Sequence, residues 1–177
     1  MCIRRTVFAH AKSIYDIEIP FYSQMGIKYL LIDLDNTLDS YRIYYPTLPA
    51  INLIKDLREN GIIPIIVSNN KGKRVQTYAS FLQVECISSA MKPFAKKIKS
   101  FLKASNIKHD KVMLIGDQLM TDVGAANAAD IKAILTDKIV NEDQWTTRLN
   151  RLIDIPLRRS LKKKGKLPDW RTFYGKS

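Results

Sequence analysis

The sequence predicts an α/β fold of three layers, with helices on both faces of a five-stranded parallel sheet. Short apolar or β-branched runs recur at residues 27–32, 62–67, 84–87, 112–115 and about 131–135. Such runs are expected of strands buried on both faces. The segments between them have helical spacing, so the order reads β-α-β-α-β-α-β-α-β. Four polar strings then follow the first four runs: Asp33-Leu34-Asp35-Asn36-Thr37-Leu38, Ser68-Asn69-Asn70, Lys92-Pro93 and Gly116-Asp117-Gln118-Leu119-Met120-Thr121-Asp122. In a parallel sheet the ligand crevice lies beyond the carboxyl ends of the strands, so the four strings converge on one place.

The first helix is expected over about 49–60, with Leu53, Ile54 and Leu57 on one side and Gly61 as its stop. The second, about 73–82, offers Val75, Tyr78, Ala79 and Leu82 to the core. The third is expected to begin at Pro93, a favoured first helical residue. It buries Ile98, Phe101 and Leu102 and leaves Lys96, Lys97, Lys99 and Lys103 mostly outside. A short helix follows Thr121, and a last one over about 142–153 turns Trp145, Leu149 and Leu152 inward. After Pro156 the chain becomes charge-rich and apolar-poor. The division expected is therefore an α/β domain over 1–155 and a basic C-terminal tail over 156–177, whose Trp170, Phe173 and Tyr174 either pack back or insert elsewhere.

A chain of 177 residues suits one domain rather than two. Residues 1–12 are broken by Arg4, Arg5, His10 and Lys12, which leaves no apolar stretch of a signal peptide. The apolar runs fall far short of the roughly 18 residues of a membrane helix. Cys2 and Cys86 form no disulfide framework, in keeping with a reducing, cytoplasmic setting. His10 and His109 match no ligand spacing, so zinc is not expected.

The net charge of +12 is unevenly spread: the last 30 residues hold ten Lys or Arg against two Asp. The other 147 hold nineteen basic and fifteen acidic groups. Such a tail is either a solvated segment or an attractor of polyanions. One polyanion is an anionic membrane, which would place the protein at the inner face of the membrane as a peripheral partner, with Leu157, Leu161 and Trp170 adding apolar contact. The other is RNA or a ribosome.

Side chains alternate along a strand, so Asp33 and Asp35 project to one side and Leu34 to the other. Two carboxylates in one pocket call for a divalent cation, and a hard ion of the Mg²⁺ type prefers oxygen ligands. Asp117 adds a further carboxylate from another strand end. A carboxylate also serves as a covalent nucleophile in phosphoryl transfer, the role assigned to Asp33, while Asp35 is placed to act as acid and base. Ser68, the backbone amides near Asn69, and Lys92 suit the neutralisation of phosphate oxygens. Each string has a plainer reading on its own: Ser68-Asn69-Asn70 as a turn, Lys92 as an exposed lysine, Asp122 as a helix cap. Their joint position favours the chemical one.

Asp33-x-Asp35-x-Thr37, Ser68, Lys92 and Gly116-Asp117 with Asp122 resemble the four motifs of the haloacid dehalogenase (HAD) superfamily. More closely, Ser13-Ile14-Tyr15-Asp16-Ile17, Val67-Ser68-Asn69-Asn70, Lys92-Pro93 and Gly116-Asp117-Gln118-Leu119-Met120-Thr121-Asp122-Val123 look like the YqeG family of class IIIA phosphatases, itself similar to mitochondrial phosphatidylglycerophosphate phosphatases. The likeness covers roughly residues 10–153. It loosens after Leu38, where Asp39-Ser40-Tyr41-Arg42 replaces small apolar and aromatic residues.

The resemblance implies a HAD-like Rossmannoid fold and a phosphomonoesterase with Asp33 as nucleophile, Asp35 as acid/base and Thr37 fixing the loop. It further implies that Ser68 and Lys92 hold phosphate, and that Asp33, the main-chain carbonyl of Asp35, and Asp117 hold Mg²⁺, with Asp122 in support. Residues 39–61 and 69–91 leave 23 positions in each place where such enzymes insert a cap. That is well below the ~40 residues of the smallest independent domains. A capless, open site is expected, able to accept phosphate on a lipid head group, a protein or a nucleic-acid end. Tyr41, Tyr44 and Tyr45 either line its entrance, with Arg42 meeting a second anion, or form an ordinary packed loop. A phosphomonoester, phosphatidylglycerophosphate included, is the expected substrate. The alternatives are soluble esters, phosphorylated macromolecules, or an RNA- or ribosome-binding module with vestigial catalysis.

Overall fold

The computed structural model describes residues 6–139 and 145–175, with 145–153 traced as backbone. Its strands are β1 (Ala9–Ala11), β2 (Tyr29–Asp33), β3 (Ile63–Val67), β4 (Glu85–Ile87), β5 (Val112–Gly116) and β6 (Lys132–Thr136). Its helices are α1 (Ile19–Gln24), α2 (Leu48–Glu59), α3 (Lys73–Leu82), α4 (Lys96–Ala104), α5 (Gly124–Ala129) and α6 (Trp145–Lys163). The sheet is parallel, in the order β1-β6-β5-β2-β3-β4.

Alternation along the strands builds two cores. Leu30, Ile32, Ile66, Met113, Ile115 and Ile134 face α1, α2 and α3. Leu31, Ile65, Val67, Leu114, Ala133 and Leu135 face α4, α5 and the inward Leu157 and Leu161 of α6. Both faces are thus sealed, which explains the nearly unbroken apolar strands. The chain fills the sheet outward from β2 through β3 to β4, then crosses to β5 on the other side of β2. β2 is therefore the switch point, where an open α/β sheet forms its crevice.

The α/β class and the parallel sheet agree with the sequence reading, but the sheet has six strands rather than five. The sixth is β1, which pairs with β6 through Ala9↔Ile134, His10↔Leu135 and Ala11↔Thr136. Three residues, Ala-His-Ala, carry too little apolar pattern and too weak a strand preference to announce a strand; pairing at the sheet edge creates it.

Two other expectations shift. Pro93 does not open α4: it follows a cis peptide bond from Lys92, in a turn closed by Phe94 N–H donating to Met91 O at 2.9 Å, and the helix begins at Lys96. The short helix expected after Thr121 is α5, but it is led by a π-helical turn, Leu119–Val123, that already contains Thr121.

The last helix is expected from residue 142, which lies outside the described residues, as do Cys2 and the side chains of Trp145, Leu149 and Leu152. Its described part continues through Pro156 to Lys163, so the expected domain boundary falls inside it. Beyond it the chain returns to β1, where His10 N–H donates to Pro168 O at 2.7 Å. Trp170, 1% exposed, meets Phe21 edge-on at 5.5 Å, and Phe173 stacks on Phe8 at 4.7 Å. Of the two fates left open for these aromatic residues, packing back is the one that occurs. Among the described residues no helix is long and apolar enough to cross a membrane.

Candidate active site

Register brings the motif residues to one edge. β2 pairs Asp33 with Val67 of β3 and Ile32 with Ile115 of β5, so residues 33–35, 68 and 116–117 leave the sheet side by side. The connection from β2 to β3 holds a loop and α2, and that from β3 to Lys92 holds α3 and β4. Among the described residues no inserted domain covers this edge.

At its centre Lys92 is buried with its Nζ 2.5 Å from Asp33 Oδ1, 2.6 Å from Asp122 Oδ1 and 3.2 Å from Val67 O. Thr37 Oγ1 donates to Asp33 Oδ2 at 3.1 Å. Asp33, Asp117 and Asp122, all buried, each offer a carboxylate oxygen within 4.8 Å of the others. Close approach of Asp122 requires Gly116: a Cβ there would lie 2.3 Å from the Asp122 carboxyl carbon. Asp122 Oδ2 is further fixed by the Gln118 N–H at 3.0 Å.

Three carboxylates face one ammonium here, and the electrostatics follow. Burial pushes the Asp33 carboxyl well above the usual range and Asp122 adds to the rise, while Lys92 opposes it. Burial works against the Lys92 ammonium, but Asp122 and Asp33 outweigh it and hold the lysine protonated beyond its ordinary range. The donor set is all oxygen and carries more negative charge than Lys92 cancels. It fits a hard divalent cation of the Mg²⁺ type.

Asp35 sits in a separate nest. Its Oδ1 accepts from Arg74 Nη1 at 2.7 Å, and its Oδ2 from Asn70 Nδ2 at 2.7 Å and Ser68 Oγ at 3.3 Å. Arg74 also ties down the loop after β2, donating from Nε to Ile43 O at 2.9 Å and from Nη2 to Ser40 O at 3.2 Å. Asn69 turns to the backbone of Lys92: its Nδ2 donates to Lys92 O at 3.0 Å and its Oδ1 accepts from Lys92 N–H at 2.7 Å. It sets the height of the lysine relative to β3.

The candidate site residues Asp33, Asp35, Thr37, Ser68, Asn69, Lys92, Asp117 and Asp122 thus lie at this edge, but sequence reasoning missed Arg74, Asn70 and Asp39 as organisers. Asp39, where the family likeness loosens, is 6% exposed. Its Oδ2 accepts from Tyr78 Oη at 2.5 Å and Thr47 N–H at 3.0 Å, and its Oδ1 from Thr47 Oγ1 at 2.9 Å. It pins the loop to α2 and α3. Tyr44 and Tyr45, 62% and 59% exposed, stand on the outside of that loop, and Tyr45 meets Phe81 edge-on at 4.8 Å. Arg42 Nε meets the Tyr41 hydroxyl at 3.1 Å.

Comparison with known proteins shows what the chain is similar to. The HAD-hydrolase-like family profile matches residues 90–154. The chain is 32% identical over 154 residues to the probable phosphatase YqeG of Bacillus subtilis, covering 87% of this chain and 90% of that protein. Solved structures share the fold. An uncharacterized protein from Listeria monocytogenes serotype 4b aligns with a TM-score of 0.52 at 16% identity, over 78% of this chain and 99% of that one. The 3-deoxy-D-manno-octulosonate 8-phosphate phosphatase of Yersinia pestis aligns with a TM-score of 0.51 at 13% identity, over 72% and 83%. The fold, the site and the curated relative together define a HAD-superfamily phosphatase, a hydrolase of phosphate esters. Within that superfamily, the chain belongs to the YqeG family.

Proposed function

We propose that the chain is a Mg²⁺-dependent phosphomonoesterase of the class IIIA type that works through an aspartyl-phosphate on Asp33. The observation that carries this reading is the gathering of Asp33, Asp117 and Asp122 within 4.8 Å of one another, against Lys92.

An Asp33 oxygen attacks phosphorus, the bond from phosphorus to the ester oxygen breaks, and Asp35 gives the departing oxygen its proton. Asp35 then takes a proton from water, whose oxygen attacks phosphorus. The bond to Asp33 breaks and inorganic phosphate leaves. Lys92, Ser68 and the amides near Asn69 neutralise the equatorial oxygens, and Thr37 and Lys92 keep the Asp33 carboxylate in place. Asp33, the main-chain carbonyl of Asp35, and Asp117 would hold Mg²⁺, with Asp122 in support. Held there, the ion would supply positive charge to offset that of the phosphoryl oxygens.

The finer substrate we propose is a phosphomonoester on a phospholipid head group, that of phosphatidylglycerophosphate. It is supported by the family resemblance, by the open edge at which the motif residues meet, and by the exposed Lys162, Lys163, Lys164 and Lys166, which suit peripheral contact with an anionic membrane. The test is release of inorganic phosphate from the lipid phosphate and from a panel of soluble esters. Chelation should abolish turnover and added Mg²⁺ restore it, with the lipid turned over fastest. A soluble ester preferred over the lipid would overturn the substrate, and turnover untouched by chelation would overturn the metal. Replacing the four lysines with Gln should weaken binding to anionic vesicles, at about 1 kcal/mol for each residue that reaches the surface, and leave soluble-ester hydrolysis unchanged.

A further inference from the structure

The segment 117–122 carries two of the three clustered carboxylates, and its backbone is held from outside the motif. β5 and β6 pair as far as Gly116↔Leu135, where their ladder stops. One residue further on, the Arg158 guanidinium donates through Nη2 to both Asp117 O and Thr136 O, the latter at 3.0 Å. It bridges the two strand ends at the point where the backbone no longer does. Arg158 is set by Asp154, one helical turn earlier on α6, whose Oδ2 accepts from Arg158 Nε at 3.0 Å. The other oxygen of Asp154 accepts the Met120 N–H at 3.0 Å, at the entrance to the π-helical turn that bears Asp122. Asp154 is 1% exposed, and Asp137 adds a further contact to Arg158 at 3.3 Å.

We infer that Arg158 and Asp154 are positioning residues that orient Asp117 and Asp122 for cation binding, so the basic C-terminal segment acts on the active site from behind. The guanidinium fork suits this task because one planar group meets several oxygens at once, which an ammonium does not. A peptide held at Asp117 O and at Met120 N has little freedom to swing Asp117, or the π-helical turn that carries Asp122, away from Asp33. Polar partners of this kind, one step removed from the ligands, are typically worth roughly 10- to 100-fold in metal affinity or activity.

This inference rests on the reading of Asp117 as a metal ligand, and its test separates the two. Mn²⁺ binding to the full-length protein is measured by electron paramagnetic resonance without substrate, beside thermal melting and the kcat and KM for a soluble ester. Arg158→Ala should weaken Mn²⁺ binding roughly 10- to 100-fold and lower kcat at limiting Mg²⁺, with KM at saturating Mg²⁺ little changed. Arg158→Lys should recover part of the loss, and Arg159→Ala, at the exposed neighbour, none should be lost. Asp154→Asn keeps an oxygen for Met120 but loses the ion pair, and should show a smaller loss; it also serves if Arg158→Ala does not fold. Wild-type Mn²⁺ affinity in Arg158→Ala, or in Asp154→Asn where that stands in for it, would overturn the inference alone if Asp117→Asn is impaired. Wild-type affinity in Asp117→Asn would overturn the metal reading and this inference with it.

Discussion

Asp33 and Asp35 stand two residues apart at the end of one strand, yet the protein surrounds them in opposite ways. Asp33 is buried beside Asp117 and Asp122 with Lys92 as the cation against it. Asp35 is only partly buried and meets a guanidinium, an amide and a hydroxyl. The first side holds excess negative charge and so suits a further cation; on the second a guanidinium faces the carboxylate, and its partners fix where that carboxylate points. On the proposed mechanism the first carboxylate meets phosphorus and the second the departing oxygen.

The widest break in this comparison comes from neutralising Asp33. Asp33→Asn keeps the shape but removes the nucleophile and should abolish phosphate release; full activity in that variant would end the covalent account. Asp35→Asn should be milder, a loss of roughly 10² to 10⁴ in kcat, the span of a lost general acid and base. If the two variants lose equal activity through failed metal binding, measured by Mn²⁺ titration, the two aspartates are not distinct in role. Tyr78→Phe touches neither side directly and removes one donor from buried Asp39. It should cost about 1–3 kcal/mol of stability in a denaturant titration, the range for leaving a buried acceptor short of a partner, with kcat nearly intact.

The Asp33 side was the more legible in the sequence. Its residues follow apolar runs long enough to be recognised as buried strands, so their meeting could be inferred from the topology of a parallel sheet. The Asp35 side was half legible: Ser68 belongs to a motif, while Arg74 lies in the opening turn of α3 with nothing local to mark its reach back to β2. In the sequence Asp154 falls just past the last expected helix and Arg158 in the expected basic tail, so nothing local pairs them. Only the return of α6 against the ends of β5 and β6 gives them their contacts. The same holds for Trp170, Phe173 and Tyr174, whose burial depends on α1 and β1 far away in the chain. Truncation after Pro156 therefore strips both a buried tryptophan and the Asp117 bridge, and is not a neutral way to remove the basic charge.

The most direct measurement is to trap the intermediate. The Asp35→Asn protein is mixed with a phosphomonoester and Mg²⁺, quenched in acid, and the acyl phosphate is located by mass spectrometry. Phosphate on Asp33 is the predicted result. Continued turnover with phosphate on another residue, or on none, would contradict the account.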